Sequence, residues 1–361
     1  MRYHLHLLPH TLLFKFDART SRGAIAEHKV YYLVLSEQNR PEKQGIGECA
    51  PLAGLSVDAT PDLEAKLEQL CRQVNSGAVA LTGNEEFLDT EGLALAGWPA
   101  IRFALETAWL DLQHGGNRII FRNAFSEGQQ GIAINGLIWM GDKAFMQDQI
   151  KKKLKEGYTC LKLKIGSLDF ATELEILESI RSTASAAELT IRVDANGAFK
   201  PEEAFRKLER LARYELHSIE QPIRQQQPEQ MAQLCAYTPV PIALDEELIG
   251  VEQPEEKARL LDVIKPQYII LKPTLVGGLQ ASANWISLAE GRGIGWWVTS
   301  ALESNIGLNS VSQFTATYTT TMPQGLGTGQ LYHNNLASPL TIKQGFLWYD
   351  QQQEWGNVPS A

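Results

Sequence analysis

Residues 161 to 166 read "LKLKIG". On a strand Lys162 and Lys164 share one face, while Leu161, Leu163 and Ile165 take the other. Further on, charged residues close strand-like runs one after another: Asp194 in "VDAN", Glu220 in "IEQP", Asp245 in "LDEE" and Lys272 in "LKP". One such residue alone reads as a local ion pair, but five consecutive units each ending in a charge read as a site. Carboxylates crowded into a pocket repel one another and gain protons unless a cation joins them. An all-oxygen set without His or Cys selects a hard divalent ion, Mg²⁺ with Mn²⁺ as a substitute. Such an ion between lysines suits removal of a proton beside a carboxylate, because it stabilises the doubled charge of the resulting enediolate. A lysine is a base only when neutral, and a neighbouring cation favours that form; Lys162 is such a neighbour for Lys164. A Schiff base on Lys272, as in an aldolase, would leave three carboxylates on consecutive strands unexplained.

The elements that must position these groups follow from their spacing. From Lys164 to Asp194, Glu220, Asp245, Lys272 and Thr299 the steps are 30, 26, 25, 27 and 27 residues. Each step holds one strand and one helix, the pattern of a parallel βα barrel whose strand ends share one mouth. The expected fold is α/β, a TIM-like barrel of seven βα units plus a final strand at "MPQGLGTG", with an N-terminal α+β capping domain. No G-x-G-x-x-G follows a first strand, which argues against a dinucleotide-binding sheet. "FATELEILESIRSTA" has helical spacing at Leu174, Ile176, Leu177 and Ile180, and Pro201 opens another helix. The expected divisions are 1–125 for the cap, 126–335 for the barrel, and 336–361 for a segment returning to the cap. Within the cap, "KVYYLVLSE" and "QGIGECAPL" read as strands, and "PAIRFALETAWLDLQ" as an amphipathic helix. Pro9 is expected to interrupt the first strand. The histidines around it, His4, His6 and His10, have no carboxylate companion and are not assigned to a metal.

Bulk properties narrow the partners. The 361 residues are 44% hydrophobic and carry a formal net charge of -9, so a small-molecule ligand is expected and a nucleic acid is not; the proton chemistry above makes that ligand a carboxylate substrate. The first twenty residues lack the unbroken apolar core of a signal peptide, which makes a cytoplasmic protein without a membrane partner the expectation. Cys49, Cys71, Cys160 and Cys235 have no zinc-like spacing and are expected as free, mostly buried thiols.

Taken in order, "KLK", "VDANGAF", "IEQP", "LDEE" and "LKPTLVGG" resemble the enolase superfamily, and the Lys-x-Lys pair with a sixth-strand lysine resembles its muconate-lactonizing subgroup. The resemblance implies that Lys164 abstracts the proton, that Lys272 stabilises the enediolate, and that Asp194, Glu220 and Asp245 bind Mg²⁺. "ARTSRG" and "GECAPLAGLS" look like the capping loops; Arg19 and Ser21 of the first, with Ser300 and Gly325 of the barrel, are implied substrate contacts. Glu246 is expected to point away by strand alternation, and Asn196 to stand behind the metal ligands. Trp139, Trp297 and Leu302 are candidate apolar walls. The implied reaction is dehydration of the succinyl-hydroxycyclohexadiene carboxylate of menaquinone biosynthesis, with N-acylamino acid racemisation, or another isomerisation of the subgroup by the same lysine pair, as the alternative. Dipeptide epimerases of the subgroup carry Asp-x-Asp on the eighth strand; "GLGTGQLYHNN" has no acid.

Overall fold

The computed structural model describes residues 2–20, 23–90 and 92–358, without the side chains of residues 17–20 and 24. The chain opens with β1 (Tyr3–Thr20), β2 (Gly23–Glu37) and β3 (Arg40–Cys49), an antiparallel sheet in the order β1-β2-β3. Pro9 does not interrupt β1: it pairs with Tyr31 in unbroken register. The expectation failed because β1 is an edge strand, where a residue without an N–H is tolerated.

Two helices, α1 (Leu63–Ser76) and α2 (Pro99–Gln113), follow, with a short hairpin of β4 (Thr82–Gly83) and β5 (Leu88–Asp89) between them. Helix α2 is not amphipathic as expected, since Phe103 to Leu112 are buried without exception. It lies against β3 on one side, and its Glu106 reaches the backbone of Leu279 and Gln280 on the other. Gly45 and Gly47 make the approach to β3 feasible, because a Cβ at either would collide with the α2 backbone at Ala108 or Ala104. The polar residues caught inside are partnered: Asp111 accepts from the amides of Ile46 and Arg118 at 2.9 and 2.6 Å.

After β6 (Ile132–Ala133) come seven parallel strands alternating with helices: β7 (Gly136–Ile138), α3 (Lys143–Lys155), β8 (Cys160–Lys164), α4 (Phe170–Arg181), β9 (Thr190–Asp194), α5 (Pro201–Leu211), β10 (Ser218–Glu220), α6 (Pro228–Tyr237), β11 (Ile242–Leu244), α7 (Pro254–Ile264), β12 (Tyr268–Leu271), α8 (Pro273–Val276), α9 (Leu279–Glu290), β13 (Gly295–Val298) and α10 (Asn305–Thr315). Among the described residues β7 to β13 form one sheet in chain order. Prolines open α5, α6, α7 and α8, where a missing N–H costs nothing, and Asp142 and Asp169 cap α3 and α4. In place of the expected final strand, Gln324 bridges Ile134 and Gly325 bridges Thr299, one residue pair on each side.

The chain ends with a hairpin of β14 (Leu340–Lys343) and β15 (Phe346–Tyr349), whose second strand pairs with β6. Beyond it Trp355 and Val358 pack against the cluster of Leu12, Val34 and Ile46. The four cysteines are free, and Cys49, Cys160 and Cys235 are buried. No helix of the described residues is long and apolar enough to cross a membrane.

Candidate active site

Strand register brings the charges together. Lys164 stands beside Asp194 and Asp194 beside Glu220; Glu220 pairs with Ala243, and Asp245 follows two residues on. Lys272 lies at the next strand's end, at the start of α8. Lys162 Nζ sits between Asp194 Oδ2 at 2.9 Å and Glu220 Oε2 at 2.5 Å. Lys164 Nζ donates to Asp194 Oδ2 at 2.7 Å and to Asn196 Oδ1 at 2.8 Å. Across the mouth Lys272 Nζ donates to Asp245 Oδ2 and lies 4.0 Å from Glu220 Oε1. Asp194, Glu220 and Asp245 are all within 2% of complete burial.

Two residues complete the cluster. Asn196 has a left-handed backbone with φ at +44°, which turns its amide back over Lys164, and its Nδ2 donates to Glu246 Oε1 at 3.0 Å. Glu246 therefore faces the site instead of pointing away. Alternation fails there because the strand ends at Leu244: Asp245 leaves the extended region, with φ −125° and ψ −79°, and residues 246–248 form a short 3₁₀ turn.

Neighbouring charge overcomes burial at the two aspartates and at Lys162 and Lys272, and adds to it at the two glutamates. Burial alone would raise Asp194, yet Lys162 and Lys164 hold it well below the usual carboxylate range. Asp245 is likewise held low by Lys272 and Lys162 against its burial. Burial and the charge of Asp194 push Glu220 well above that range despite Lys162, and burial with Asp245 raises Glu246. Burial would lower both buried lysines, but Asp194 and Glu220 raise Lys162, and Asp245 and Glu220 raise Lys272.

No three described His, Cys, Asp or Glu side chains already converge as a ligand cage, since lysine ammonium groups stand between these carboxylates. The residues nevertheless fit a divalent ion. Their donors are oxygen only, four carboxylates face three ammonium groups, and buried Glu220 Oε1 has no hydrogen-bond partner.

Above this floor lies a cavity of about 450 Å³ that Lys162, Lys164 and Lys272 line from below. Ser300 and Gly325 stand on its wall, with the Ser300 amide donating to the Gly325 carbonyl at 3.0 Å. A Cβ at 325 would collide with the Thr299 side chain, so glycine is required there by packing. Thr328, which sequence reasoning did not single out, brings its hydroxyl within 2.5 Å of Ser300 Oγ. Trp139 and Leu302 are walls as expected, joined by Leu52 and Leu55 of the loop after β3. Trp297 is not: it is buried under the Arg192 guanidinium at 4.0 Å, where β9 is still two residues short of Asp194. Ser21 and the side chain of Arg19 lie outside the described residues.

Known proteins resemble this chain in sequence and fold. Residues 146–356 match the family model described as enolase C-terminal domain-like. The o-succinylbenzoate synthase of Desulfotalea psychrophila is 48% identical over 357 residues, 93% of this chain and 96% of that protein. The crystal structure of MenC from Desulfotalea psychrophila LSv54 has a TM-score of 0.85 at 42% identity, covering 96% of this chain and 100% of that one. The dipeptide epimerase of Enterococcus faecalis V583, complexed with Mg and the dipeptide L-Leu-L-Tyr, shares the fold, with a TM-score of 0.80 at 18% identity over 99% of both chains.

Proposed function

This chain belongs to the enolase C-terminal domain-like family, and from that premise we propose that it dehydrates 2-succinyl-6-hydroxy-2,4-cyclohexadiene-1-carboxylate to o-succinylbenzoate, a carbon–oxygen lyase step of menaquinone biosynthesis. The observation that carries the reading is the likeness to the Desulfotalea psychrophila synthase along almost the whole chain. The site's geometry agrees with the chemistry.

Lys164 takes the proton next to the ring carboxylate, held on course by Asn196 Oδ1 and Asp194 Oδ2. As charge builds on that carboxylate, the Lys272 ammonium stabilises it from the opposite side of the mouth. Lys162, between Asp194 and Glu220, adds a second fixed cation. Lys164 then returns its proton to the departing hydroxyl, so water leaves and the ring becomes aromatic. Asp194, Glu220 and Asp245 would hold a divalent ion, Mg²⁺ by their hardness with Mn²⁺ as a substitute, which when bound supplies Lewis-acid stabilisation of the carboxylate. The hydroxyls of Ser300 and Thr328 take the succinyl carboxylate beside Gly325, with Arg19 and Ser21 contributing from the β1–β2 hairpin.

In this reading residues 1–125 cap the mouth, 126–335 form the catalytic barrel, and 336–361 return to the cap. The bridges of Gln324 with Ile134 and of Gly325 with Thr299 support closure of the ring. A cytoplasmic protein acting on a small carboxylate, with neither nucleic acid nor membrane as partner, follows.

The test is a direct absorbance assay for o-succinylbenzoate, run beside racemisation of N-succinylamino acids in D₂O. Rapid dehydration is expected. Efficient deuterium incorporation into the amino acids with negligible dehydration would replace the lyase with a racemase.

A further inference from the structure

Leu302 lines the cavity with a backbone φ of +65°, a region that side chains other than glycine and asparagine rarely enter. A strained leucine at a cavity wall needs something to hold it. Its neighbours are pinned separately: the Ala301 amide donates to Glu303 Oε2 at 2.7 Å, and the Ser304 amide to Glu48 Oε1 at 2.8 Å. The peptide between them is held by its carbonyl. Tyr332 Oη donates to Leu302 O at 2.5 Å, and His28 Nδ1 stands 3.2 Å from the same oxygen.

The other side of the His28 ring faces a second cavity loop. Its Nε2 lies 3.3 Å from the carbonyl of Pro51, the residue before Leu52. Both holding residues are buried, at 6% exposure for His28 and 2% for Tyr332, and Tyr332 Oη lies 3.5 Å from His28 Nδ1. The Tyr332 ring is itself fixed, tilted against Phe14 with centroids 4.6 Å apart. β2, the loop after β3, the loop after β13 and the segment beyond Gly325 thus meet at one imidazole and one phenol.

We propose that His28 and Tyr332 are positioning residues that hold the Leu302 peptide in its left-handed conformation. They set Leu302 opposite Leu52 and Leu55 as one apolar wall, and so determine how tightly the cavity grips the apolar part of its substrate. Neither residue touches the reacting atoms. The inference about grip rests on the lyase reading above; the inference about the Leu302 peptide does not.

Two measurements on the full chain separate them. Amide hydrogen exchange of the segment 300–306 in the free protein is compared for wild type, Tyr332→Phe, Leu302→Gly and the double variant, with His28→Gln as a second probe. The phenylalanine keeps the ring and removes one hydrogen bond, so exchange is expected to rise roughly two- to tenfold. In the Leu302→Gly background the same change is expected to add nothing, because glycine adopts the conformation unaided. In dehydration kinetics KM is expected to rise by a similar factor, with the effect on KM rather than kcat and again absent in the glycine background. Unchanged exchange in both Tyr332→Phe and His28→Gln would overturn the clamp. Faster exchange without any change in KM would overturn its role in holding substrate, as would an equal rise in KM in both backgrounds. If the wild type forms no o-succinylbenzoate, the lyase reading fails while the exchange comparison still decides the clamp.

Discussion

Asn196 offers the sharpest test of how Lys164 is aimed. Its Oδ1 accepts from Lys164 Nζ at 2.8 Å, its Nδ2 donates to Glu246 Oε1 at 3.0 Å, and both depend on a backbone φ of +44°. Replacement by alanine removes the amide and leaves a Cβ in the left-handed region without the local hydrogen bonding that lets asparagine tolerate it, a cost of up to about 1–2 kcal/mol. Replacement by glycine removes the amide together with the Cβ, so no left-handed strain remains. A hydrogen bond to a charged group contributes roughly 1.5–3 kcal/mol. At about 1.36 kcal/mol per decade of rate, losing it is expected to lower kcat roughly 10- to 150-fold. Both variants are expected to show this fall in the absorbance assay, and only Asn196→Ala a lower unfolding temperature. If Asn196→Gly kept kcat within about twofold of wild type, the amide would not be orienting the base.

The remaining expectations concern the other groups. Lys164→Ala and Lys272→Ala are each expected to lose at least roughly 10²-fold in kcat while still binding product, and near-normal turnover of Lys164→Ala alone would move the base to the opposite lysine. Exhaustive chelation is expected to abolish activity, and Glu220→Gln to weaken Mg²⁺ binding in calorimetric titration; full activity after chelation would remove the metal from the reaction. Burial pushes Glu106 up to about 7 from 4.5 despite the Leu279 and Gln280 amides, so the folded state keeps its proton to higher pH than the unfolded chain. Its contribution to stability is full below about pH 4.5 and is lost as the pH rises to about 7, of order 3 kcal/mol. The stability difference between wild type and Glu106→Gln is expected to shift across that window, and a flat difference would refute the assignment.

Much of the site was legible in the chain because two simple periods define it. A period of two puts Lys162 and Lys164 on one face, and a step of 25 to 30 residues returns each strand to the same mouth. Those rules placed Lys162, Lys164, Asp194, Glu220, Asp245 and Lys272 within reach of one another without reference to any contact. They failed where a residue's fate depends on what packs against it. Glu246 turns inward because the strand stops one residue before Asp245, a backbone choice that no pattern of polar and apolar residues encodes. Helix α2 reads as amphipathic, but a second layer covers its polar face, so that Glu106 and Asp111 accept from backbone amides inside the protein. Pro9 sits within a strand because that strand happens to be an edge. The clamp on Leu302 is the extreme case: His28 reaches it from 274 residues away, and nothing local marks a leucine for a left-handed backbone. Local periodicity determined which groups share a face, and tertiary packing decided how each is held, because hydrogen bonds between distant segments exist only once the chain has folded.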